Sequence, residues 1–159
     1  MLDGAARVKE LVAEVARQEM PAIAITDHGN VFGAFEFNKQ ARKAGVKPII
    51  GIEAYVAPES RFEKRRVKWA EGGEDDVSGG GAYTHMTLLA ENNVGLSNLF
   101  KLSSLASLEG FYYKPRMDRE LLSTYSSGLI ATTGCPGGEI QTKIRIGAYK
   151  EAPVSYTHL

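Results

Sequence analysis

The sequence predicts an α/β domain built on a mostly parallel sheet or barrel. Helix-period and strand-type apolar segments alternate along the chain, and polar turns fall where the strand segments end. The length of 159 residues, with 43% hydrophobic and 24% charged side chains, suffices for one packed domain and excludes wholesale disorder.

The elements follow in order. From Ala5 to Gln18, Val8, Leu11, Val12, Val15 and Ala16 recur at helical spacing, with Asp3-Gly4 at the N-cap position. After Pro21, the run Ala22 to Thr26 reads as a buried strand that ends in the polar turn Asp27-His28-Gly29-Asn30. A second helix is predicted from about Val31 to Ala44, closed by Gly45, and Lys47 to Val56 reads as the next strand. Between Pro58 and Ala82 the periodicity dissolves. Arg61, Lys64, Arg65, Arg66 and Lys68 precede Glu71, Glu74, Asp75 and Asp76, which reads as a solvated, flexible excursion whose one large apolar residue is Trp69. Its basic half has the composition to touch a nucleic-acid backbone, and its acidic half has the charge to neutralise it. His85 to Ala90 is a strand segment, and Asn92 or Asn93 caps a helix carrying Leu96, Leu99, Leu102 and Leu105. Gly110 to Arg116 is an aromatic and basic turn, and Asp118 caps a short helix through Leu122. Gly128 to Thr132 is the last strand segment, followed by Thr133-Gly134-Cys135-Pro136-Gly137-Gly138 and a helix from about Glu139 to Lys150.

Composition narrows the function. Nineteen basic residues balance nineteen acidic ones, which excludes a DNA-coating protein that works through unpaired lysines and arginines. A single cysteine excludes an intrachain disulfide framework and fits a reducing cytoplasm. No apolar run reaches the ~20 residues of a membrane span, so no membrane partner is expected.

Five residues have donor chemistry, several of them beside predicted strand ends. Cys135 stands between a strand and a helix start, with Pro136 suited to the first helical position. It reads either as an activated thiol or as an inert small hydrophobe. Asp27-His28 directly follows a strand, where a βα fold places working residues and where turn chemistry alone also favours them. Glu53 interrupts an apolar strand. Such a carboxylate is costly unless it is paired, binds a cation or faces solvent on an edge strand. His85 opens its strand as a ligand or as a hydrogen-bonding residue, and Asp3 alone is an N-cap. Together Asp3, His28, Glu53, His85 and Cys135 supply oxygen, nitrogen and sulfur donors of the kind zinc accepts, and manganese or iron in part. Their spacing matches no short zinc motif.

The segments Leu2-Asp3-Gly4, Ile25 to Asn30, Gly51 to Tyr55, Gly110 to Arg116, Thr84 to Ala90 and Gly128 to Cys135 carry a specific resemblance. The chain, from residue 1 to about 152, resembles the N-terminal polymerase and histidinol phosphatase (PHP) domain of bacterial DNA polymerase III alpha subunits. The resemblance implies an incomplete, distorted (βα)7 TIM-like barrel (the PHP fold) with a metal cluster at the strand C-terminal rim. It places Asp3, His28, Glu53, His85 and Cys135 at metal-ligand positions, and Asp27 beside a ligand in a supporting role. It implies zinc or manganese at that site, serving a 3′–5′ proofreading exonuclease in active relatives, and magnesium for the parent polymerase. Implied partners are DNA and the other replisome subunits. Two alternatives stand beside this reading: a free-standing PHP phosphoesterase and a non-catalytic docking module. The family's leading His-x-His pair, its closing Asp-x-His pair and the polymerase residues are not in this sequence, so the piece alone is expected to be inactive. Residues 153–159 depart from the family and read as a non-native tail, so His158 is not counted as a ligand. The sequence Thr26-Asp27-His28-Gly29-Asn30 is closer to the main replicative subunit than to its error-prone paralogue, and the excursion is too short for the form with an inserted exonuclease.

Overall fold

The computed structural model describes residues 4–69 and 78–152. Asp3, the acidic half of the excursion and the 153–159 tail lie outside the described residues. Helix α1 spans Val8–Arg17, β1 Ala22–His28, α2 Ala34–Lys43 and β2 Lys47–Val56. After the excursion come β3 (Thr84–Ala90), α3 (Asn93–Leu108), β4 (Arg116–Met117), α4 (Arg119–Thr124), β5 (Leu129–Thr132) and α5 (Glu139–Arg145).

The sheet runs β1-β2-β3-β5, and β4 takes up pairing with β2 at Tyr55 and Val56, beyond the point where β1 ends at Glu53. The expected parallel arrangement holds for β1, β2 and β4, but β3 is antiparallel to both β2 and β5. The cause is the connection. Among the described residues no α-helix carries the chain across the sheet between β2 and β3, and Val56 and Thr84 pair as the base of a long hairpin.

Register decides which side chains share a face. Ile23 and Ile25 of β1 align with Pro48 and Ile50 of β2, and Ile52 and Ala54 align with Leu88 and Met86 of β3. This face carries the helices. Val12 and Val15 of α1 and Phe37 and Ala41 of α2 form one core with Ile23, Ile25 and Ile50 alongside. Leu99, Leu102 and Ala106 of α3 and Leu121 and Leu122 of α4 form a second core with Ile52, Ala54, Val56, Met86 and Leu88. The opposite face presents Ala24, Thr26 and His28, then Glu53 and Tyr55, then His85, Thr87 and Leu89. Helices packed on one side and polar groups gathered on the other is the layout of a βα-barrel wall.

Local signals account for the helix ends. Asn92 accepts hydrogen bonds from the Val94 and Gly95 amides, and Asp118 accepts one from the Leu121 amide at 2.9 Å. Gly45, at φ +74°, turns the chain after α2 so that the Val46 N–H reaches the Ala41 carbonyl at 2.9 Å. Helix α1 begins later than expected, at Val8, and α5 stops earlier, at Arg145.

The described part of the excursion is tied to the fold. Arg61, 9% exposed, pairs with Asp118 and Glu109, whose charges outweigh the effect of burial and raise its pKa. Arg61 is thereby committed to carboxylates rather than to a nucleic-acid backbone. Arg116 is 1% exposed, and its guanidinium donates to the carbonyls of Gly110, Ala82, Arg61 and Glu63. Among the described residues no helix is long and apolar enough to cross a membrane.

Candidate metal centre

Strand direction brings the donors to one rim. Strands β1, β2 and β5 run the same way and β3 runs against them, so the C-terminal ends of three strands meet the N-terminal end of β3. His28 is the last residue of β1, and its register partner on β2 is Glu53. His85 lies two residues from Thr87, the partner of Glu53, on the same face. Cys135 follows β5 in a turn whose Gly137 carbonyl accepts from the His85 amide at 3.1 Å.

Glu53 is the hub. Its Oε1 lies 2.5 Å from His85 Nδ1, and its Oε2 lies 2.9 Å from His28 Nδ1. Cys135 Sγ is 4.0 Å from the same Oε1 and accepts from the Gly137 N–H at 3.3 Å. One ligand atom each from Glu53, His85 and Cys135 falls within 4.8 Å of the other two. The Glu53 and His85 side chains keep 20% and 18% of their surface exposed, so the cluster opens at the rim rather than being sealed in the core. Because β2 pairs with strands on both sides, the edge-strand explanation for Glu53 does not apply.

Two expectations are corrected. Pro136 does not open a helix, since α5 begins at Glu139. The Cys135 sulfur meets a single turn amide instead of a helix N-terminus. Asp27 alternates onto the helix side of β1, where its Oδ2 accepts from the Gly33 amide at 2.6 Å and fixes the turn leading into α2. Among the residues singled out from sequence, the structure thus gathers His28, Glu53, His85 and Cys135, leaves Asp27 on the other face, and does not describe Asp3.

Tyr55 was missed from sequence, although it stands two residues beyond Glu53 and so shares its strand face. Its ring meets that of His85 edge-on at 5.3 Å and Tyr83 at 4.9 Å, and stacks near His28 at 6.5 Å. Burial, then the neighbouring Tyr83 and the Glu53 charge, push its hydroxyl pKa up.

The donor set suits a divalent ion. Ligand atoms about 2.0–2.3 Å from a tetrahedral zinc stand about 3.5 Å apart, so small side-chain rotations bring this cluster to binding geometry. An imidazole, a carboxylate and a thiol grouped at the rim, with a second imidazole on the far Glu53 oxygen, also match zinc's preference for nitrogen and sulfur.

Comparison with known proteins gives the family. The PHP domain model matches residues 1–157. The DNA polymerase III subunit alpha of Saccharopolyspora erythraea is 62% identical, with 96% of this chain covering 14% of that protein. Its counterpart in Mycobacterium leprae is 60% identical, with 96% of this chain covering 13%. In Thermus aquaticus the figures are 54%, 88% and 11%. The chain therefore spans about one seventh of the length of the first of these curated relatives. Among solved structures, an amidohydrolase from Chromobacterium violaceum overlaps 98% of this chain and 50% of its own, at TM-score 0.38 and 15% identity, too loose a likeness to bear on function. With its motif-bearing strands assembled on one rim and the family model spanning residues 1–157, the chain belongs to the PHP domain family.

Proposed function

We propose that this chain belongs to the PHP domain of a replicative DNA polymerase III alpha subunit, acting in the bacterial cytoplasm, and that its rim contributes to a zinc or manganese site for 3′–5′ hydrolysis of DNA ends in the intact protein. The observation that carries the reading is the convergence of Glu53, His85 and Cys135 within 4.8 Å, with His28 on the second Glu53 oxygen. His28, Glu53, His85 and Cys135 would hold the ion, and Asp3 would join them from the first segment. Bound there, such an ion polarises a phosphoryl oxygen and lowers the pKa of a water. The protein's own part is orientation: before an ion binds, Glu53 holds both imidazole rings at the rim through their Nδ1 atoms, and the Gly137 amide fixes the thiol. Asp27 acts at one remove by setting the turn after His28. Polymerisation, with its magnesium, belongs to the rest of the parent protein, as do most contacts with DNA and the other replisome subunits. This chain by itself is inactive as polymerase and as nuclease. The identity with alpha subunits favours this reading over a free-standing phosphoesterase.

The test uses the full polymerase polypeptide with Glu53→Ala. The expected outcome is loss of metal-dependent release of 3′ nucleotides from a primer, with primer extension retained. Exonuclease activity equal to that of the unaltered protein overturns the hydrolytic reading.

A further inference from the structure

We propose that Lys114 is the phosphate-binding residue of this metal centre, an ammonium fixed beside the cluster to hold the anionic group of an entering phosphoester. The inference rests on the metal-centre reading above and adds the residue that meets the substrate's charge.

Position is the first argument. Lys114 Nζ lies 5.6 Å from the centroid of the Tyr55 ring, the same ring that contacts His85 at 5.3 Å and His28 at 6.5 Å. The same ring thus meets the ammonium and both histidines, and among the described residues no carboxylate pairs with that ammonium.

Backbone anchoring is the second. Tyr113 has φ +60°, a left-handed conformation that is strained for a non-glycine residue. The Tyr112 amide donates to the Lys114 carbonyl at 3.0 Å. Pro115 packs so closely on Gly29 that a Cβ there would come within 2.8 Å of both Pro115 and Tyr55. Arg116 is buried with its guanidinium bonded to four carbonyls. A surface lysine that served only solubility would need none of this. Strain on one side and a buried anchor on the other hold its Cα at the rim.

Electrostatics is the third argument. An ammonium near a divalent ion weakens the ion's binding, so Lys114 does not serve as metal support. The arrangement becomes favourable when an anion bridges the two cations, and phosphate accepts charge-assisted bonds from ammonium groups.

The experiment titrates the zinc-loaded chain with inorganic phosphate by calorimetry, beside Lys114→Gln and Lys114→Arg. Zinc content is measured in each sample by elemental analysis. Lys114→Gln is expected to weaken phosphate binding about three- to tenfold at unchanged zinc content, with Lys114→Arg recovering most of the affinity. Equal phosphate affinity in Lys114→Gln and wild type overturns the proposal, as does wild-type chain that holds zinc but no phosphate. Loss of zinc from Lys114→Gln also overturns it, because the residue would then support the cluster itself. Wild-type chain without zinc overturns the metal reading, and this one with it.

Discussion

Glu53 shows how a single residue organises the site. Its neighbours Ile52 and Ala54 are fully buried on the helix side, so the strand is locked in register and the carboxylate has one direction to face. A carboxylate held there between two imidazoles is compensated by hydrogen bonds, and it is the ligand proposed above for the ion. Cys135 tests the sulfur side of the same arrangement. With cobalt in place of zinc, the wild-type chain is expected to show a thiolate-to-metal charge-transfer band, and Cys135→Ser to lose it. An unchanged spectrum in Cys135→Ser removes the thiol from the ligand set.

At the level of elements, close approach decides what the sequence can vary. Gly95, in the first turn of α3, lies against the loop before β5, and a Cβ there would sit 1.8 Å from the Gly128 carbonyl oxygen. Alanine favours helix over glycine by about 1 kcal/mol, but relieving this clash must move backbone, at a cost of about 1–3 kcal/mol. Gly95→Ala is therefore expected to lower stability in urea denaturation, and a gain would show that α3 can shift freely. Most elements were legible in the sequence because their signals are local, as with the Asn92 and Asp118 caps and the apolar run of β2. Strand β4 was not, since two residues carry no periodicity and its pairing partner lies some sixty positions upstream. The direction of β3 and the burial of Arg61 escaped for the same reason: each depends on a connection or partner distant in sequence. Within the site, the ligand candidates were legible by residue type and resemblance, whereas Tyr55 and Lys114 emerged only once β2 and the Gly110–Arg116 turn were brought together.

Across the whole molecule, the cluster ties together structure that the cores leave apart. One core joins α1 and α2 to β1, the other joins α3 and α4 to β2 and β3, and the donors come from β1, β2, β3 and the turn after β5. An ion bound only by the folded state would add about 2.7 kcal/mol when free zinc exceeds its dissociation constant a hundredfold. For a domain of this size that shifts the melting temperature by about 5–10 °C, so a chelator is expected to lower the melt of the zinc-loaded chain by that amount. An unchanged melt would mean that the four strand ends are not bridged. Elemental analysis of the purified chain beside the Glu53→Ala, His85→Ala double variant goes to the heart of the matter. The geometry predicts about one zinc or manganese ion per wild-type chain and little in the double variant. Equal metal in both would contradict a centre built on Glu53 and His85.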